Sequence, residues 1–362
     1  MENVALKYAK YHLSKTHGFC TEVPGLFDLK DLKPHISILK DLKNFDPSSI
    51  SSLPMQQGIE SLSYNELELS CLVHTTLNYL YYWHNLDKPN TVIPLNLAQP
   101  TMQISKLLDR PPMLTMVSSQ LYNWDYIDPN KGFHPDNTKV VFSFTGTRDE
   151  DYFFTGANYI EYLGSPGINS IMELETAQNN PEEMKKHLEN IAKCIFSLRS
   201  GLELVRKNID PDVFYHKIRR GLKGFDKGVI FEGQEPVTMM LMGTTPTQTP
   251  LFKVFDAFLG ICHDDEYLTQ TELFMKKQHR ELLRDIRNRD VKKMKENVKK
   301  FDLKDDWNRI IVELCEYRKI HTGVAVRNII KPSGQSLEKG TGGSNIVQYL
   351  ARITKTTMAN MM

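Results

Sequence analysis

His321 stands in a stretch of helical spacing, with Leu314 at i−7, Tyr317 at i−4, Val324 at i+3 and Ala325 at i+4, so its face is apolar. Arg318 lies one turn earlier, at i−3, on nearly the same face. An imidazole nitrogen and a guanidinium projecting toward one bound object suit a haem, whose iron takes an axial nitrogen and whose propionates take a cation. The competing reading is a core histidine satisfied by a carbonyl. The other ten of the eleven histidines have weaker neighbours.

Phe153 and Phe154 are adjacent aromatics followed by the small residues Thr155, Gly156 and Ala157, which reads as core packing or as a pocket wall. Phe214 and Arg219 are five apart, so on an α-helix they diverge by about 140° and line two walls rather than one stripe. Arg219 also reads as a solvated helix cation, like Arg220 beside it. The run KGTGGS (339–344) lacks the spacing of a phosphate-binding loop and is a mobile loop or a helix start. No H-E-x-x-H, G-x-S-x-G or kinase signature is present, which leaves metalloprotease, α/β-hydrolase and kinase readings without support.

These residues need helices to position them. Met184, Leu188, Ile191, Ile195, Leu198, Leu202 and Val205 recur by fours and threes and predict one long amphipathic helix. Ser63 and Glu66 have capping-box spacing at the head of a second, running to about Trp83. Asp210 and Pro211 start a shorter helix to about Gly221. Further helical patterns cover about 252–262, 267–285, 304–329 and 344–358. Strand signal is confined to 140–144 and 228–231, so the fold class is mainly α. Segment 87–112, with five prolines, reads as irregular chain, and the Thr- and Pro-rich segment 233–250 as a linker or a site wall.

The chain has 362 residues, about two domains' worth. Hydrophobic residues at 40% and charged residues at 25% are ordinary globular usage. With 45 Lys+Arg against 44 Asp+Glu there is no whole-chain field to attract nucleic acid or an anionic membrane, so a small-molecule partner is expected. The five cysteines form no C-x-x-C pair, which argues against zinc, a disulfide framework and covalent haem attachment and reads as free thiols in a reducing compartment. The first residues form no secretory signal and no apolar run reaches the ~18 residues of a membrane span, so a cytoplasmic location is expected.

Taken together, LDRPPML (108–114), NWDYIDPNK (123–131), VVFSF (140–144), the Phe153–Phe154 pair, FYHKIRRGLKGF (214–225), PLFKVFDAFLGI (250–261), His279–Arg280, YRKIH (317–321) and EKGTGGS (338–344) resemble, in this order, the indoleamine 2,3-dioxygenase family of haem enzymes. The resemblance implies a two-domain, all-helical haem dioxygenase fold. A smaller N-terminal helical domain would span 1–140 and a larger haem-binding domain 141–362, with active-site loops at 233–250 and 331–344. It implies haem b as cofactor, O2 as co-substrate, and insertion across the indole C2–C3 bond of L-tryptophan to N-formylkynurenine; a monomer is expected.

Position by position, the resemblance makes His321 the proximal iron ligand and Arg318 the propionate partner, with Asp256 in the same support and Thr245 at the haem's distal edge. Phe153 and Phe214 become the walls against the indole, Arg219 the carboxylate clamp, and Thr341 the residue closing over the substrate amine. Ala157 stands where many members carry a distal serine, Met116 where a tyrosine is common in vertebrate members, and Ser119 in place of a cysteine. Such a lining holds no group titrating near neutrality, and His216, about 200° round the helix from Phe214, is expected to miss it. A haem monooxygenase on an indole and a helical haem sensor without turnover are the alternatives.

Overall fold

The computed structural model describes residues 4–23, 29–85, 87–238, 241–334 and 345–362. Its α-helices of nine residues or more are α1 (Tyr64–Tyr82), α2 (Leu95–Leu108), α3 (Arg148–Ala177), α4 (Pro181–Asn208), α5 (Leu251–Leu259), α6 (Lys277–Arg287), α7 (Val291–Lys300), α8 (Lys304–Ala325) and α9 (Ile346–Met358). Among the described residues strands amount to two short pairs: Val92–Ile93 runs parallel to Ile230–Phe231, and Asp125–Tyr126 antiparallel to Thr138–Lys139. The mainly helical expectation holds. The run 140–144 is not a strand: the Phe142 N–H donates to the Asn123 side chain and that of Phe144 to Glu150, so its backbone is satisfied by side chains.

Local chemistry accounts for the helices. Ser63 and Glu66 make both bonds of a capping box at the start of α1. Asn180 caps α4, whose stripe from Met184 to Val205 is buried as its spacing required. α2 runs through 95–108, where irregular chain is expected from the prolines, with Pro100 inside it and wholly buried. One lost backbone bond is outweighed there by apolar burial. The pattern over 267–285 divides into Glu266–Glu272 and α6, with Lys276 in the break.

Two large clusters form the core. One gathers α3, α4, α5, α6 and α8 around Trp307, Phe255 and Leu198, and takes Tyr11 and Phe19 from the first segment. The other gathers α1 and α2 with Phe142, Phe225, Phe231 and Phe274. The long antiparallel pair α3 and α4 meets at glycines. A Cβ on Gly156 would lie 2.7 Å from Val205 Cγ2, and one on Gly201 2.5 Å from Ile160 Cγ1.

Candidate functional site

α8 buries Trp307, Ile310, Ile311, Leu314 and Cys315 against the core. Near its end it presents Tyr317, Arg318 and His321 to a cavity of about 720 Å³. The His321 ring lies parallel to that of Tyr317, with centroids 6.4 Å apart, and its imidazole has no hydrogen-bond partner among the described residues. Burial, reinforced by the Arg318 charge, lowers its pKa to about 4. It is therefore a neutral imidazole at physiological pH, the ligating form.

Arg318 Nη2 donates to both oxygens of Asp256 at 2.8 and 2.6 Å, and its Nη1 to Thr357. Asp256 also accepts from His263 Nε2 at 2.9 Å. Burial alone would push the Asp256 carboxyl up, but Arg318 and His263 hold it below the usual range. This network ties α5, α8 and α9 together around the cavity.

Ala157 and Glu161, one turn apart on α3, line the same cavity, as do Pro246, Thr247 and Thr249 of the 233–250 segment. Thr245 is 3.4 Å from the Thr247 hydroxyl and accepts from the Tyr267 hydroxyl at 3.5 Å. Met116 and Ser119 are buried beside it rather than in its wall. The Met116 N–H donates to Gln248, and the Ser119 hydroxyl to the Thr115 carbonyl. Gln120, next in the chain, does reach the cavity. Thr341 lies outside the described residues.

Phe153 and Phe214 pack 5.0 Å apart, in a cluster with Val205, Ile218 and Val324. They stand outside the 720 Å³ cavity, but Val324 is one turn beyond His321 on α8. Asp210 caps this segment as expected, yet only one α turn follows. Residues 214–218 form a π turn, closed from the Arg219 N–H to the Phe214 carbonyl. An i→i+5 closure brings residues five apart onto one side, which corrects the divergence expected of an α-helix. The Arg219 guanidinium sits 5.2 Å from the Tyr215 ring. His216 is exposed, as expected. Two other π turns are present among the described residues: Val117–Leu121, holding Ser119, and Val326–Ile330, directly after α8. Such turns are rare and recur at functional sites, where the extra residue in the turn re-aims the side chains around it.

Glu161 is the residue that reading the sequence missed. It is 3% exposed, its Oε2 has no hydrogen-bond partner, and burial, only slightly offset by Thr249, raises its pKa to about 8. A group titrating near neutrality therefore does face the cavity. Its signal was positional: it repeats the 153, 157 stripe one turn further.

Residues 7–360 match the family described as indoleamine 2,3-dioxygenase. The chain belongs to that family. It is 27% identical to indoleamine 2,3-dioxygenase 1 of Rattus norvegicus, over 96% of this chain and 94% of that one. It is 25% identical to indoleamine 2,3-dioxygenase 2 of Homo sapiens, over 99% and 96%. A fungal relative, an indoleamine 2,3-dioxygenase of Penicillium citrinum, is 24% identical over 98% and 88%. Membership of the dioxygenase family spans both hydrophobic clusters and every described wall of the cavity.

Proposed function

We propose that this protein is a haem b-dependent dioxygenase that inserts O2 across the indole C2–C3 bond of L-tryptophan to give N-formylkynurenine. The observation that carries the reading is His321: a neutral imidazole without a hydrogen-bond partner among the described residues, facing a cavity whose volume falls in the range of about 300–1,000 Å³ usual for ligand and cofactor sites. His321 would hold the iron. Arg318 would face a propionate, its own charge balanced by Asp256, with Thr245 at the edge of the site. When bound, haem supplies the iron centre at which dioxygen and the indole react.

The chain's own groups then bind, orient and exclude water. Phe153 and Phe214 give an aromatic wall for the indole. Arg219, aimed to their side by the π turn, would clamp the substrate carboxylate, a fork suited to bidentate pairing. Ala157 gives a small apolar stretch of wall one turn from Glu161, Met116 and Ser119 stand behind the wall, and Thr341 would close over the amine. Specificity for L-tryptophan itself is part of the proposal, since one relative, from Fusarium equiseti, is named a 6-hydroxytryptophan 2,3-dioxygenase.

The division into a small domain, 1–140, and a large one, 141–362, is part of the proposal: one main hydrophobic cluster is built mostly from 160–317 and the other mostly from 32–114, and each takes side chains from across the boundary. Four buried, unpaired cysteines, Cys20, Cys71, Cys194 and Cys315, support a reducing cytoplasm, and no helix among the described residues is long and apolar enough to cross a membrane. A monomer without a nucleic-acid partner completes the reading. The test is the absorption spectrum of the reduced protein with and without L-tryptophan, followed by product mass. A haem Soret band that shifts with L-tryptophan and a product heavier by two oxygens are expected. A product heavier by one oxygen would mean a monooxygenase, and no turnover a sensor.

A further inference from the structure

A second cavity, of about 500 Å³, lies between residues 12–23, the first turn of α1, Tyr122 and Lys276, and shares no lining residue with the first. Lys276 is 3% exposed. Its ammonium donates to the Tyr122 hydroxyl at 2.9 Å and stands 5.1 and 5.2 Å from the ring centres of Tyr64 and Tyr122. No carboxylate pairs with it among the described residues. Glu68, whose charge Lys276 feels, makes its ion pair with buried Arg110, so the buried group of Lys276, Arg110 and Glu68 carries two positive charges against one negative. One buried positive charge is left without a counter-ion, on the wall of a cavity.

The donors that remain define what fits. An ammonium has three N–H groups and Lys276 uses one; Tyr122, whose oxygen accepts that bond, keeps its own O–H to give. Together they offer an oxyanion up to three hydrogen bonds in a desolvated place, where charge-assisted bonds are strongest. Burial lowers the Lys276 pKa to about 8, so the cation persists at neutral pH. Phe19, Leu13 and Tyr64 supply apolar walls for an organic body. Glu22 stands at the exposed rim, its carboxylate accepting from Ser14 at 2.5 Å; it repels negative charge there, so a ligand's one carboxylate belongs at the Lys276 end and a second at the rim is disfavoured.

We propose that this cavity is a ligand site separate from the haem pocket, in which Lys276 and Tyr122 hold the carboxylate of a small organic monoanion. Nothing in the tryptophan reading requires it, and the two stand or fall apart.

The test uses benzoate as probe and equilibrium dialysis of the full-length holoenzyme in the Arg219→Leu background, which removes the carboxylate clamp assigned to the substrate site. One saturable benzoate per chain is expected, displaced poorly by inorganic phosphate. Affinity should fall at least tenfold in Lys276→Met, fall several-fold in Tyr122→Phe, and survive in Lys276→Arg. Lys276→Met removes a buried charge and keeps an unbranched chain only the ammonium nitrogen shorter, so it is expected to fold, and Tyr122→Phe removes only a hydroxyl. Absence of saturable binding, equal affinity in Lys276→Met, or phosphate binding tighter than benzoate would overturn the proposal.

Discussion

The backbone N–H of Arg219 donates to the carbonyl of Phe214, so the cation and the aromatic ring leave the chain on one side of a π turn. In the proposed function both would address one amino acid, the ring taking the indole and the guanidinium the carboxylate.

Arg219→Leu is expected to lower kcat/KM for L-tryptophan by tens-fold or more. Removing the partner of a desolvated carboxylate costs on the order of 2–5 kcal/mol. Haem content should stay normal. Tryptamine, which lacks the carboxylate, should be a poor substrate for the wild type and no worse for the variant. Equal losses on both substrates would make Arg219 structural.

His321→Ala is expected to abolish stable haem retention, read as the Soret band per protein. His74 and His279 are fully buried away from this cavity, so their alanine variants serve as controls. Full haem with an unchanged band in the His321 variant would refute the ligand assignment.

Asp256→Ala leaves Arg318 buried with its charge unbalanced. The expected loss is about 3–5 kcal/mol of folding free energy, measured by urea midpoint. The double variant Asp256→Leu/Arg318→Met should recover much of that stability yet retain haem poorly, because the propionate partner has gone. Recovery of both together would remove Arg318 from the haem site.

Glu161 gives a pH dependence of defined sign. Its carboxyl is raised from 4.5 to about 8 by burial, so between those values the folded chain keeps a proton that the unfolded chain has released. Stability from this residue is fully present below about pH 4.5 and is lost as the pH rises toward 8, by on the order of a few kcal/mol. Glu161→Gln should flatten the slope of urea midpoint against pH over that window. An unchanged slope would mean that Glu161 is ionised in the folded protein. A lining with no group titrating near neutrality would leave kcat at saturating tryptophan flat between about pH 6.5 and 8, and that profile is expected in Glu161→Gln, where this titration is absent.

Helices with one clean stripe were readable from the residues: α4 and the capped start of α1 lie where Met184–Val205 and Ser63–Glu66 place them. α3 escaped because its 30 residues include Gly156, Gly164, Pro166 and Gly167, which read as breakers although they serve close packing. His321 and Arg318 were legible because α-helical spacing holds between them. Phe214 and Arg219 were legible as residues but not in their relation, since a π turn leaves no mark in a pattern judged at 3.6 residues per turn. Glu161 and Lys276 look like any surface acid or base in one dimension. Only the packing of distant segments takes the water from them.

The glycine contacts between α3 and α4 make the size of the first cavity a property of its reverse side. Gly156 adjoins Ala157, and Ile160, which Gly201 accommodates, is itself a wall residue. A methyl group added at Gly156 or Gly201 would push the two helices apart and move that wall toward the bound molecules, without any substituted atom touching them. Which indole fits is thereby open to adjustment from behind, at positions that a comparison of ligand-contacting residues would overlook.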